Sequence, residues 1–102
     1  MVIQRNIFHL KFGKAKESIE IWKEILEAIK KSHHQSPEMR LLSDLSGDAY
    51  TLEVEVHLKS FMDINPSQAI WATTAGFQEL DEKFKPLCES AEREYFKIEC
   101  IV

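Results

Sequence analysis

Between Ala49 and Lys59 the chain alternates without a fault. Leu52, Val54, Val56 and Leu58 share one parity, and Thr51, Glu53, Glu55, His57 and Lys59 share the other. Successive side chains of a strand point to opposite faces. The segment therefore reads as a strand of a sheet with one apolar and one polar face. Its neighbours follow the same rule. Glu38 to Leu45 alternates with Met39, Leu41 and Leu45 against Arg40, Leu42 and Asp44, and Ser46-Gly47-Asp48 supplies a hairpin turn between the two runs. Val2 to Phe12 opens the chain as a strand, with Val2, Phe8, Leu10 and Phe12 opposed to Ile3, Arg5, Ile7, His9 and Lys11. Arg93 to Val102 closes it, with Phe96, Ile98, Cys100 and Val102 opposed to Tyr95, Lys97, Glu99 and Ile101.

Two segments change period. From Lys14 to about Ser32, Ala15, Ile19, Trp22, Leu26 and Ile29 form one helical stripe with Ile25 at its flank. The opposite side is charged, and Lys30 and Lys31 suit the negative end of the helix dipole. A second helix is expected from Asn65 to about Ala91, with Asn65 as N-cap and Pro66 at its first position. Its stripe is Ile70, Thr74, Phe77, Leu80, Phe84 and Leu87, and Pro86 is expected to kink it near Lys85.

The order is β-α-β-β-α-β across 102 residues, within the size of one domain. Right-handed crossovers turn this order into an α+β, ferredoxin-like arrangement. It has a four-stranded antiparallel sheet in the order 4-1-3-2, with both helices on one face. Composition agrees: 44% hydrophobic and 29% charged residues are ordinary for a globular domain. With 13 Lys+Arg against 17 Asp+Glu, the chain lacks the basic footprint of a nucleic-acid binder. No run approaches the roughly 18 apolar residues of a membrane span, and the first residues lack a signal-peptide core. Two cysteines without CxxC spacing, Cys88 and Cys100, favour a reduced, cytoplasmic setting.

If each apolar parity meets the helices, the other sheet face carries Ile3, Arg5, Ile7, His9, Arg40, Leu42, Glu53, Glu55, His57, Tyr95, Lys97 and Glu99. That mixture is too apolar for a plain solvent face. It is also too charged to be buried without pairing. A second copy of the chain covering part of it satisfies both conditions. Arg5, Arg40 and Lys97 would then meet Glu53, Glu55 and Glu99 within or across chains.

This layout resembles the dimeric α+β barrel superfamily, which includes antibiotic-biosynthesis monooxygenase-like and NIPSNAP-like domains. The resemblance spans the whole chain. It is carried by the element order, the junction Leu10-Lys11-Phe12-Gly13-Lys14, and Phe84-Lys85-Pro86-Leu87 ahead of an aromatic last strand. It implies a homodimer with its two sheets face to face, and a cleft between helices and sheet or within the barrel. Heme-degrading members use an Asn of the first strand, a Trp, and an iron-binding His on the second helix. Asn6 resembles the first of these, but the second helix contains no His, so heme ligation of that kind is not expected.

Candidate site residues follow. His9 and His57 lie on the two central strands and share the polar face with Arg5, Glu53 and Glu55. A carboxylate beside an imidazole can fix its tautomer and make it a general base. The same residues can instead form a polar seam that sets dimer register. Glu53, Glu55 and His57 would span about 13 Å at about 3.3 Å per residue, too far to hold one metal ion unaided, so no metal is expected. The loop pair His33-His34 has no nearby Cys or Asp to complete a metal site. Trp71 falls beside the helix stripe and is expected to line a cleft or subunit edge. The small run Ala72 to Gly76 permits close backbone approach or leaves room for a ligand.

Two functions are consistent with these residues. One is a homodimer binding a small organic ligand through Arg5, His9, Glu53, Glu55, His57 and Trp71, with no cofactor. The other is a cofactor-independent monooxygenase-like or isomerase-like enzyme with His9, His57 or Asn6 as proton acceptor.

Overall fold

The computed structural model describes residues 1–102. Four strands, β1 (Val2–Leu10), β2 (Met39–Ser43), β3 (Thr51–Leu58) and β4 (Cys88–Lys97), form one antiparallel sheet in the order β2-β3-β1-β4. This is the expected ferredoxin-like topology. Helices α1 (Ala15–Ser32), α2 (Ile64–Thr73) and α3 (Phe77–Phe84) join the strands. None of them is long and apolar enough to cross a membrane.

The alternation of β3 does what its sequence dictates. Leu52, Val54 and Val56 have no exposed surface and Leu58 almost none. They meet Ile21, Trp22, Ile25 and Ile29 of α1, together with Leu10, Phe84 and Leu87. The buried side of α1 is centred on Ile25, one step from the stripe read in the sequence. An aromatic group continues this core. Phe8 stacks on Trp22 at 5.2 Å between ring centres, and Phe84 meets both rings edge-on at 4.9 and 5.5 Å.

The long second helix is in fact two. Thr73 and Thr74 turn their hydroxyls back to the carbonyls of Ala69 and Ile70, at 2.8 and 2.7 Å. Such bonds compete with continuation of the helix. Gly76 then takes φ +84°, a conformation that costs other L-residues strain. The start also differs. Asn65 is not the cap, because α2 already begins at Ile64, after a 3₁₀ turn over Phe61–Asp63. The Asp63 carboxylate accepts the Ser60 N–H at 3.1 Å in front of that turn. Pro86 ends α3 in a second 3₁₀ turn, Lys85–Leu87, rather than kinking a helix that runs on.

That early stop corrects the last strand. β4 begins at Cys88 and ends at Lys97, so residues 98–102 lie beyond it. Its faces are also the reverse of the sequence expectation. Phe96 sits opposite Ile3, on the face without helices, while Tyr95 sits opposite Gln4 and Lys97 opposite Val2, on the helix side. The physical reason is coverage. β4 is an edge strand whose residues are nearly all exposed, so burial does not choose its parity. The turn at Pro86 and the irregular pairing near His9 and Leu10 choose it instead. Tyr95 then accepts a hydrogen bond from Gln4 Nε2 at 3.2 Å. Phe96 lies under the Arg5 guanidinium, 4.8 Å from its carbon to the ring centre.

Candidate functional site

The sheet divides the candidate residues between its two sides. Arg5, His9, Glu53, Glu55 and His57 lie on the side that no helix covers, whereas Asn6 and Trp71 lie on the helix side. One site does not contain them all.

On the open face Glu55 is the hub. It pairs across the sheet with Arg5 of β1 and Arg40 of β2. Its side chain is 5% exposed, so its charge depends on its partners. Arg40 donates to Oε1 from Nη2 at 2.7 Å and from Nε at 3.2 Å. His57 Nε2 lies 3.2 Å from the same oxygen, and Arg5 Nε is 3.7 Å from Oε2. Burial on its own would raise the Glu55 pKa. The hydrogen bonds from Arg40 and His57 and the charges of Arg40 and Arg5 outweigh burial and hold the carboxyl below its ordinary range. Arg5 Nε also approaches Glu53 Oε1 at 3.2 Å. That contact acts through charge, because the buried Nε–H has no aligned acceptor.

His9 stands apart from this hub. Four residues along β1 from Arg5, its Nε2 meets Glu92 Oε1 of β4 at 3.3 Å. Glu92 and Glu94 of β4 share the open face opposite Ile7 and Arg5, and Ile3, Ile7, Leu42 and Phe96 supply its apolar members. The expected pairs Arg5–Glu53, Arg5–Glu55, Arg40–Glu55 and Lys97–Glu99 all form within one chain.

The helix side holds a cleft of about 360 Å³, within the usual size for a small-molecule site. Trp22 of α1, Trp71 of α2, Phe77 of α3 and Phe8 of β1 make its aromatic wall. Trp71 lies 5.6 Å from Trp22 and 6.1 Å from Phe77, ring centre to ring centre. Asn6 and Arg93 form the polar wall. Arg93 Nε donates to Asn6 Oδ1 at 2.9 Å, and Asn6 Nδ2 reaches the Val54 carbonyl at 3.4 Å. Trp22 is 2% exposed, and its Nε1–H has no hydrogen-bond partner. A buried donor left unpaired costs about 1–3 kcal/mol.

Trp71, expected at a cleft or a subunit edge, stands beside Phe77 and Arg93, which were not among the expected site residues. The break at Gly76 brings Phe77 to the cleft, and the early start of β4 brings Arg93. Pro86 was the available signal for the second, since proline is poorly tolerated beyond the first helical turn. Both cysteines are free, with Cys88 half-buried and Cys100 exposed.

Solved structures with the same architecture cover essentially the whole chain. A NIPSNAP-domain protein from Burkholderia xenovorans superposes with a TM-score of 0.82 at 15% identity, over 100% of this chain and 98% of its own. A NIPSNAP family protein of unknown function from Agrobacterium tumefaciens gives 0.79 at 18% identity, over 96% and 87%. An antibiotic biosynthesis monooxygenase gives 0.71 at 12% identity, over 96% and 98%. The chain has their fold. At these identities the likeness is one of architecture, in line with the resemblance read from the element order. No protein-family description and no curated protein matches the sequence.

Proposed function

We propose that the protein is a homodimer that binds a small organic ligand in the cleft between its sheet and helices. The observation that carries the proposal is the aromatic cleft itself, with the Asn6–Arg93 pair as its polar wall. An apolar concavity with a few converging polar groups is the usual form of a ligand site.

The open face supports the dimer. With 17 of 102 residues buried, the core of one chain is small, and half of the sheet has no partner layer. Four strands at about 4.8 Å spacing, about eight residues long, present roughly 500 Å² of flat face. Two such faces bury roughly 1,000 Å², at the lower limit for a specific interface. Apolar anchors and ion pairs must therefore cooperate. Ile7, Leu42 and Phe96 beside Glu53, Glu55, Arg5 and Arg40 offer both, and a two-fold axis makes such a surface complementary to itself.

The contacts give a proton-abstracting role less support. His57 is bonded to Glu55, His9 is bonded to Glu92, and neither lines the aromatic cleft. Asn6 does line it, but an amide is not a proton acceptor of useful basicity.

The test uses the two tryptophans, which are the only ones in the chain and both line the cleft. A panel of small apolar and aromatic compounds is titrated while tryptophan emission is recorded. Saturable changes that disappear in Trp71→Ala are expected. A panel that leaves the emission unchanged throughout contradicts the proposal.

A further inference from the structure

The polar groups of the cleft define a ligand chemistry. Three charged residues line it: Arg93, Asp81 and Glu92. Asp81 is already engaged at 3.4 Å by Lys85 Nζ, four residues on in the 3₁₀ turn that follows α3. Glu92 belongs to the open face, where it meets His9. Arg93 is different. It forms no salt bridge, and its single side-chain hydrogen bond runs from Nε to Asn6 Oδ1. That bond fixes the plane of the guanidinium and leaves both Nη groups free. A guanidinium held in this way is a fork matched to a carboxylate. Across the cleft, Trp71, Phe77 and Phe8 present ring surface above the buried Trp22, which favours a flat conjugated partner.

We infer that the cleft is specific for small planar aromatic acids, with the ring held against Trp71, Phe77 and Phe8 and the carboxylate on Arg93. This rests on the cleft being a ligand site, and it adds the class of ligand and the residue that selects it. Asn6 acts here as a positioning residue, since it orients Arg93 through the 2.9 Å bond.

The experiment follows the two indole N–H resonances of ¹⁵N-labelled protein during titration with 2-naphthoate and, separately, with its neutral isostere 2-naphthamide. Saturable shifts of the Trp22 resonance are expected, with naphthoate binding at least tenfold more tightly than the amide. Arg93→Gln should reduce naphthoate to about the level of the amide and weaken the amide by a much smaller factor. Arg93→Lys, which keeps the charge but not the fork, should fall between. Equal affinity for acid and amide, or an Arg93→Gln protein that binds naphthoate as well as the wild type, overturns the acid specificity and leaves the cleft as a site for neutral compounds. If neither naphthalene moves either indole resonance, the ligand site itself fails and this inference with it. Retention of the wild-type methyl and amide spectrum by Arg93→Gln shows that lost binding is not lost folding.

Discussion

Replacing Glu55 with Gln keeps the shape of the side chain and removes the charge on which the open face is organised. The carboxylate accepts from Arg40 at 2.7 and 3.2 Å and from His57 at 3.2 Å, with its own side chain 5% exposed. Hydrogen bonds to a charged group contribute about 1.5–3 kcal/mol when well formed. The arginines discount that figure, because the Arg40 side chain is 53% exposed and that of Arg5 39%, so both can return to water. The expected loss at pH 7 is about 2 kcal/mol, equivalent to a urea midpoint lower by about 1 M. The pH dependence has a fixed sign. The Glu55 pKa is lowered in the folded chain, so its contribution is complete above the ordinary carboxylate value of about 4.3 and is lost as pH falls through the lowered value. The wild type and Glu55→Gln should therefore converge in stability on acidification below about pH 4. Urea unfolding followed by far-UV circular dichroism, at one protein concentration and a series of pH values, measures both effects. A difference under about 0.5 kcal/mol at pH 7, or one that persists unchanged in acid, refutes the placement of Glu55 as the hub.

Other expectations follow from single features. Gly76→Ala should cost about 1 kcal/mol, near 5 °C in melting temperature, from the positive φ alone, since nothing lies within 4 Å of the added methyl. A loss well above that in a thermal scan would mean that the 74–76 break is packed more tightly than described. Cys100, exposed, should react with a thiol reagent at pH 8 much faster than Cys88, whose thiol pKa is raised by burial and whose Sγ donates to the Ser90 carbonyl. Equal rates from mass-spectrometric mapping would contradict this. Ile7→Glu adds a carboxylate between Glu53 and Glu92 on the open face. It should release monomers that keep the wild-type circular dichroism spectrum, as read by sedimentation velocity.

Burial decided which elements were legible in the sequence. β3 packs its alternate residues against α1 with no exposed surface, so its parity was written without ambiguity in Leu52, Val54 and Val56. β1 and β2 followed, because both pair with it directly. β4 carries no such signal. Its residues are nearly all exposed, and the apolar parity of Phe96, Ile98 and Cys100 pointed to the wrong face. The break of the second helix hid for a similar reason: Thr73, Thr74 and Gly76 weaken a helix by local bonds and φ, not by a change of period. The candidate site was legible in the same proportion. The open-face cluster of Arg5, Glu53, Glu55 and His57 lies on strands with clear alternation. The cleft depends on the two elements whose bounds and faces differ from the sequence pattern, which is why Arg93 and the cleft position of Phe77 emerged only from the fold.

Light scattering from the wild-type protein at micromolar concentration tests most directly whether the open face meets a second copy. A particle of twice the 11.9 kDa chain mass is expected. A folded species of 11.9 kDa, with sheet and helices intact, would contradict it.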